Sequence, residues 1–71
     1  MPVSINEKVM HGEPVVAGTR VPVKVVLGSL AAGMSFEEVM EEYDITYQDI
    51  LDCLDYAART VAEEEVHLLR A

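Results

Sequence analysis

Gly18-Thr19-Arg20 is the first place in this sequence where residue type and spacing point to chemistry. A glycine that can turn the chain, then a hydroxyl, then a guanidinium, suits presentation of Arg20 at a tight bend. A guanidinium at such a tip can meet a phosphate or a carboxylate in bidentate fashion. The competing reading is structural: Gly18 makes the turn, and Arg20 pairs with Glu13 or with the acids further along the chain. Lys8, Arg20 and Lys24 are the only lysines and arginines before residue 59. Any contact with nucleic-acid phosphate must therefore begin with them, since phosphate neutralisation supplies most of that affinity.

Acids dominate the rest of the chain. Glu37, Glu38, Glu41 and Glu42 form one group, and Asp49, Asp52 and Asp55 another. Such groups suit a basic partner or a cation, or serve as solvated helix faces. Base edges are normally read by arginine, lysine, asparagine or glutamine. The segment after Thr46 offers Gln48 and then aspartates, which makes it a poor reader of the major groove. His11, Cys53 and His67 do not fall into a metal-ligand spacing. A single cysteine excludes an internal disulfide framework. No grouping of nucleophile, base and orienting residue is visible, nor a phosphate-binding loop. The expectation is a protein that is not an enzyme and carries no cofactor or metal.

The net charge of −8 is unevenly spread. Residues 1–34 sum to +1 and residues 35–71 to −9, so the second half repels phosphate. Any DNA binding would be weak for this chain alone. With 71 residues the chain forms one domain at most. A domain of that size buries only about 60% of its unfolded surface, so a partner chain is the expected support, and a homodimer is predicted. Half the residues are apolar, too many for a disordered segment. No apolar run is long enough for a membrane span, and the first residues lack the pattern of a signal peptide. A reduced, cytoplasmic location is expected.

The elements that position these residues are legible from spacing and punctuation. Residues 14–23 read as two valine-rich limbs around Ala17-Gly18-Thr19, which predicts a small hairpin bracketed by Pro14 and Pro22. Apolar residues then recur at helical period over 23–32, with Pro22 in the first turn and Gly33 past the end. Gly28 inside that helix suggests close packing against another element. Ser35 and Glu38 form a capping box for a helix over 36–43, with Met34 and Val39 as the flanking staple. Thr46 caps a third helix over 47–69, where Asp55 stands four residues before Arg59. Phe36, Val39, Met40 and Tyr43 form the apolar stripe of the second helix. Tyr47, Ile50, Leu51, Leu54, Ala58 and Val61 form that of the third. The fold class is mostly α: an N-terminal hairpin followed by a trihelical, helix-turn-helix core.

The run Gly12-Glu13-Pro14-Val15-Val16-Ala17-Gly18-Thr19-Arg20-Val21-Pro22-Val23 resembles the opening motif of a bacterial and archaeal family, domain of unknown function 433. The later parts of that pattern match Gly33, Ser35-Phe36-Glu37-Glu38-Val39, Tyr43 and Tyr56-Ala57, so the resemblance covers about residues 9–58. One position departs: the family usually has proline after the tyrosine, and this chain has Asp44, itself a turn residue. The resemblance implies a VapB-type antitoxin with a homeodomain-like helix-turn-helix, and a PIN-like ribonuclease toxin as partner. Residues 59–71 inherit nothing from it.

On that reading a PIN-like nuclease holds divalent metal with clustered carboxylates and binds RNA with basic residues nearby. Inhibition could come from Arg20 or Arg70 entering the carboxylates. It could also come from an acidic surface covering the RNA path, drawn from Glu37, Glu38, Glu41, Glu42, Asp52, Asp55 or Glu63 to Glu65. Charge counts favour the acidic cover. Phe36, Val39, Tyr43, Ile50, Leu51, Leu54 and Val61 are the expected core and dimer residues. The alternatives are a DNA-binding autoregulator of its own operon and an orphan dimeric module.

Overall fold

The computed structural model describes residues 3–5 and 12–70, with side chains over 12–64. The chain runs β1 (Val3–Ile5), β2 (Pro14–Val16), α1 (Val23–Ala31), α2 (Phe36–Tyr43) and α3 (Tyr47–Arg70). It is mostly helical, as expected, and the helix bounds fall within a residue of those read from spacing.

The hairpin differs from the expectation. β2 pairs antiparallel with β1, in the register Val3↔Val16, Ser4↔Val15 and Ile5↔Pro14. The returning limb after Gly18 touches β2 at a single bridge, Val15↔Pro22. Pro22 has no N–H to extend the ladder, and the helix begins at the next residue. The second limb thus has no length in which to become a strand.

Each helix end has a local cause. Pro22 precedes α1 in an extended conformation. At its other end Gly33 has φ +103°, Met34 N–H donates to Ser29 C=O over 3.1 Å, and Gly33 N–H donates to Leu30 C=O over 3.0 Å. That is the left-handed glycine stop with its paired back-bonds. At α2, Glu38 N–H donates to Ser35 Oγ over 3.1 Å, and Ser35 N–H donates to Glu38 Oε1 over 2.8 Å. Thr46 and Asp49 repeat the device at α3: Asp49 N–H donates to Thr46 Oγ1 over 3.0 Å, and Thr46 N–H donates to Asp49 Oδ2 over 2.9 Å.

The core lies where β2 and the three helices meet. Val16, Val23, Val26, Val39, Ile45, Ile50 and Cys53 are buried, and Leu27, Leu30, Phe36, Tyr43 and Tyr56 are among the half-buried residues packed on them. A polar link ties α1 to α2: Ser29 Oγ donates to Val25 C=O over 2.8 Å and lies 2.7 Å from Tyr43 Oη. Ser29 spends its one proton on Val25, so Tyr43 donates to it.

Two packing expectations need correction. The buried face of α3 is Ile50 and Cys53, flanked by half-buried Leu51, Tyr56 and Ala57. Tyr47, Leu54 and Val61 are exposed, at 55%, 38% and 55%, and Ala58 is exposed too. The apolar arc of α3 is wider than the surface that α1 and α2, with nine and eight residues, can cover. Gly28, in turn, is exposed, with nothing within 4 Å of where a Cβ would stand. Close packing does not explain it. Gly28→Ala should therefore stabilise the fold by up to about 1 kcal/mol, read as a rise in the thermal midpoint. A fall would mean that the position is constrained in a way its open surroundings do not reveal. Among the described residues no helix is long and apolar enough to cross a membrane.

Candidate interaction surface

The bend over residues 17–20 is built by Thr19. Its N–H and its Oγ1–H both donate to Val16 C=O, over 3.0 and 2.8 Å, and its Oγ1 accepts from Val21 N–H over 3.0 Å. Val16 N–H closes the bend on Val21 C=O over 2.9 Å. Gly18 has φ +77°, a conformation that favours glycine. Gly18 and Thr19 thus make the bend, and Arg20 stands exposed on it.

Arg20 does not pair with Glu13. Lys24, in the first turn of α1, takes that carboxylate. Among the described residues Arg20 makes no ion pair. Of the three cations expected to meet phosphate, Lys24 is therefore engaged, Arg20 is open, and Lys8 lies outside the described residues. The side chain of Arg70 also lies outside them.

The acidic residues divide by what they already do. Glu38 is held by the cap of α2, and Asp49 by the cap of α3. Asp52 Oδ1 accepts from Gln48 Nε2 over 3.0 Å, and Asp55 Oδ2 accepts from Arg59 Nε over 3.0 Å. Glu37, Glu41 and Glu42 are exposed on α2, with no side-chain partner among the described residues. Gln48, in the first turn of α3, is thus hydrogen-bonded to an aspartate.

α3 also carries an exposed apolar stripe. Tyr47, Leu54 and Val61 recur every seventh residue, which keeps them within about 20° of one line per step along a helix. The Phe36 and Tyr47 rings meet at 5.6 Å between centroids and 47° between planes, so the stripe begins against the first turn of α2. Reading the spacing found these positions on one apolar stripe, with Leu54 and Val61 as core and dimer residues; in the single chain they face outward. Their seven-residue interval was the signal for a second, outward face.

Cys53 is buried between those faces. Burial pushes its thiol up to about 11, with the Asp49 and Asp52 charges adding to the effect. An unfolded thiol ionises near 9.0, so between 9.0 and about 11 the unfolded chain gives up its proton first. Stability should fall as pH rises through that window. Urea midpoints measured across it should decline in the native chain and decline less in Cys53→Ala.

Comparisons with known proteins bear on this arrangement. A Mycobacterium tuberculosis protein named "Putative antitoxin VapB45" is 42% identical over 48 residues, which are 68% of this chain and 20% of that relative. The crystal structure of Rv2018 from Mycobacterium tuberculosis matches with a TM-score of 0.67 at 36% identity, over 73% of this chain and 24% of that one. This chain thus corresponds to a minor part of each. The family model described as "Protein of unknown function (DUF433)" matches residues 3–57, which takes in the Gly18-Thr19-Arg20 bend, both capping boxes and the core face of α3. The chain belongs to the DUF433 family.

Proposed function

We propose that this chain is an antitoxin-type interaction protein that binds and neutralises a PIN-like ribonuclease and performs no catalysis itself. The observation that carries the reading is the likeness over 48 residues to a relative named as an antitoxin. Two exposed features support it: the carboxylates of Glu37, Glu41 and Glu42 on α2, and the Tyr47, Leu54 and Val61 stripe on α3. A ribonuclease must present cations to bind RNA. An acidic face that covers those cations competes with RNA directly, and long-range attraction speeds its arrival. Glu37, Glu41 and Glu42 are the residues we assign to that cover, with Asp52 and Asp55 adding negative charge from α3. Arg20, open on its bend, is the candidate for a single deep contact.

Self-association accompanies this role. β1 is one strand of a two-stranded sheet, and pairing along such an edge is the route we assign to a second copy. DNA binding is the weaker reading, because Gln48 is bonded to Asp52 and Lys24 to Glu13.

The test is co-purification with the product of the adjacent gene, with a gel shift on the upstream DNA run in parallel. A stable complex with a ribonuclease supports the reading. A chain that retards its own upstream DNA and captures no neighbour would replace it with autoregulation. A dimer that does neither would be an orphan module.

A further inference from the structure

We infer that the Tyr47–Leu54–Val61 stripe of α3 is a docking surface for a protein with an apolar groove rimmed by lysine and arginine. This rests on the antitoxin reading and names the surface that would hold the ribonuclease. Tyr47, Leu54 and Val61 are large apolar side chains left open to solvent on one helix. At 1.5 Å per residue they stand about 10 Å apart along the axis, forming a ridge about 21 Å long. Such regular exposure along one line is the pattern of a helix meant to lie in a groove. The fold itself leaves this ridge uncovered, because Ile50 and Cys53 already fill the interior contact of α3.

Charge selects the occupant. Residues 47–64 carry five acids, Asp49, Asp52, Asp55, Glu63 and Glu64, against Arg59 alone. That one cation is already bound to Asp55. Glu64 lies three residues beyond Val61 and so borders the ridge. At the other end Phe36 packs on Tyr47, joining the ridge to the first turn of α2, which carries Glu37 and Glu38. A second copy of this chain would bring the same excess of acid to the contact, which costs affinity by like-charge repulsion. A basic-rimmed groove meets the ridge with apolar area and the flanks with opposite charge.

The experiment measures binding of the full chain to the product of the adjacent gene, the proposed PIN-like nuclease, by biolayer interferometry at low and high salt. Leu54→Ala/Val61→Ala removes apolar area at exposed positions, and circular dichroism verifies that the fold is intact. The expected result is an affinity loss of at least about tenfold in the double variant, chiefly through faster dissociation. Association of the native chain should also slow by about tenfold or more between low and high salt. Affinity unchanged within twofold in the double variant would overturn the docking surface while leaving the antitoxin reading in place. Loss of a dimeric mass in that variant, with nuclease affinity intact, would assign the stripe to a second copy and overturn it likewise. Absence of binding by the native chain would overturn both.

Discussion

Ile50→Ala is expected to remove a large share of the stability of this fold. Ile50 is fully buried and is among the largest side chains in the core, where α3 meets α1 and α2. Truncating a buried isoleucine to alanine costs about 2–5 kcal/mol, the upper end applying where neighbours cannot collapse into the gap. Here those neighbours are Val16, Val26 and Val39, short branched residues on three other elements. A domain of this length has a total stability of only about 4–10 kcal/mol. Urea unfolding followed by circular dichroism should show the midpoint falling by a large fraction of its native value. A midpoint within a few tenths molar of the native value would mean that α3 is not seated through Ile50.

Asp44→Pro should rival that effect, although Asp44 is exposed and packs no core. Asp44 closes α2 in the left-handed conformation, with φ +54° and ψ +50°. Among the described residues it is the one non-glycine position with positive φ. Its N–H donates to Met40 C=O, and Ile45 N–H donates to the same oxygen over 3.2 Å. Proline holds φ near −65° and has no N–H, so it removes one of those bonds and forbids the turn; about 3 kcal/mol or more is expected. It would also push Tyr43 out of the helical region, and with it the Tyr43–Ser29 contact. Asp44→Gly is the control: it keeps the bond and relieves the left-handed cost, so it should stabilise slightly. The family usually carries proline after this tyrosine. The left-handed turn seen at Asp44 is one that proline cannot adopt, so the departure from the family pattern is matched by a turn specific to aspartate or glycine. An Asp44→Pro chain with unchanged stability would show that this turn is not needed to join α2 and α3.

These two positions mark how far the sequence could be read. The ends of the helices were legible because their causes are local. Ser35 with Glu38, Thr46 near Asp49, and glycine after residue 32 each act across three or four residues. The partner of β2 was not legible. Val3–Ile5 is too short to show a period, and its pairing depends on how the chain returns from residue 5 to residue 14. The buried face of α3 was half legible. Ile50 and Leu51 were rightly placed towards the interior, but the apolar arc continues round the helix to Leu54, Ala58 and Val61, and only tertiary placement decides which side faces inward. The pairing of Glu13 was a choice between two nearby cations. The Thr19 clasp leaves Arg20 exposed on the bend, while the first turn of α1 puts Lys24 within reach of the carboxylate.

The candidate site was legible in its charges and not in its shape. Glu37, Glu41 and Glu42 fall on the wet face of α2 as their spacing requires. Glu38 and Asp52, grouped with them by composition, already hold hydrogen bonds within the fold. Composition counts charges, and only geometry separates the free ones from those in use.

The most direct measurement of the central claim is a titration of ribonuclease activity. The product of the adjacent gene, the proposed PIN-like nuclease, would be assayed on a fluorescent RNA while the purified chain is added in steps. Cleavage should fall linearly and cease near one chain per nuclease, and inhibition should weaken in Glu37→Gln/Glu41→Gln/Glu42→Gln. Cleavage that continues unchanged at a large excess of the folded chain would contradict the account.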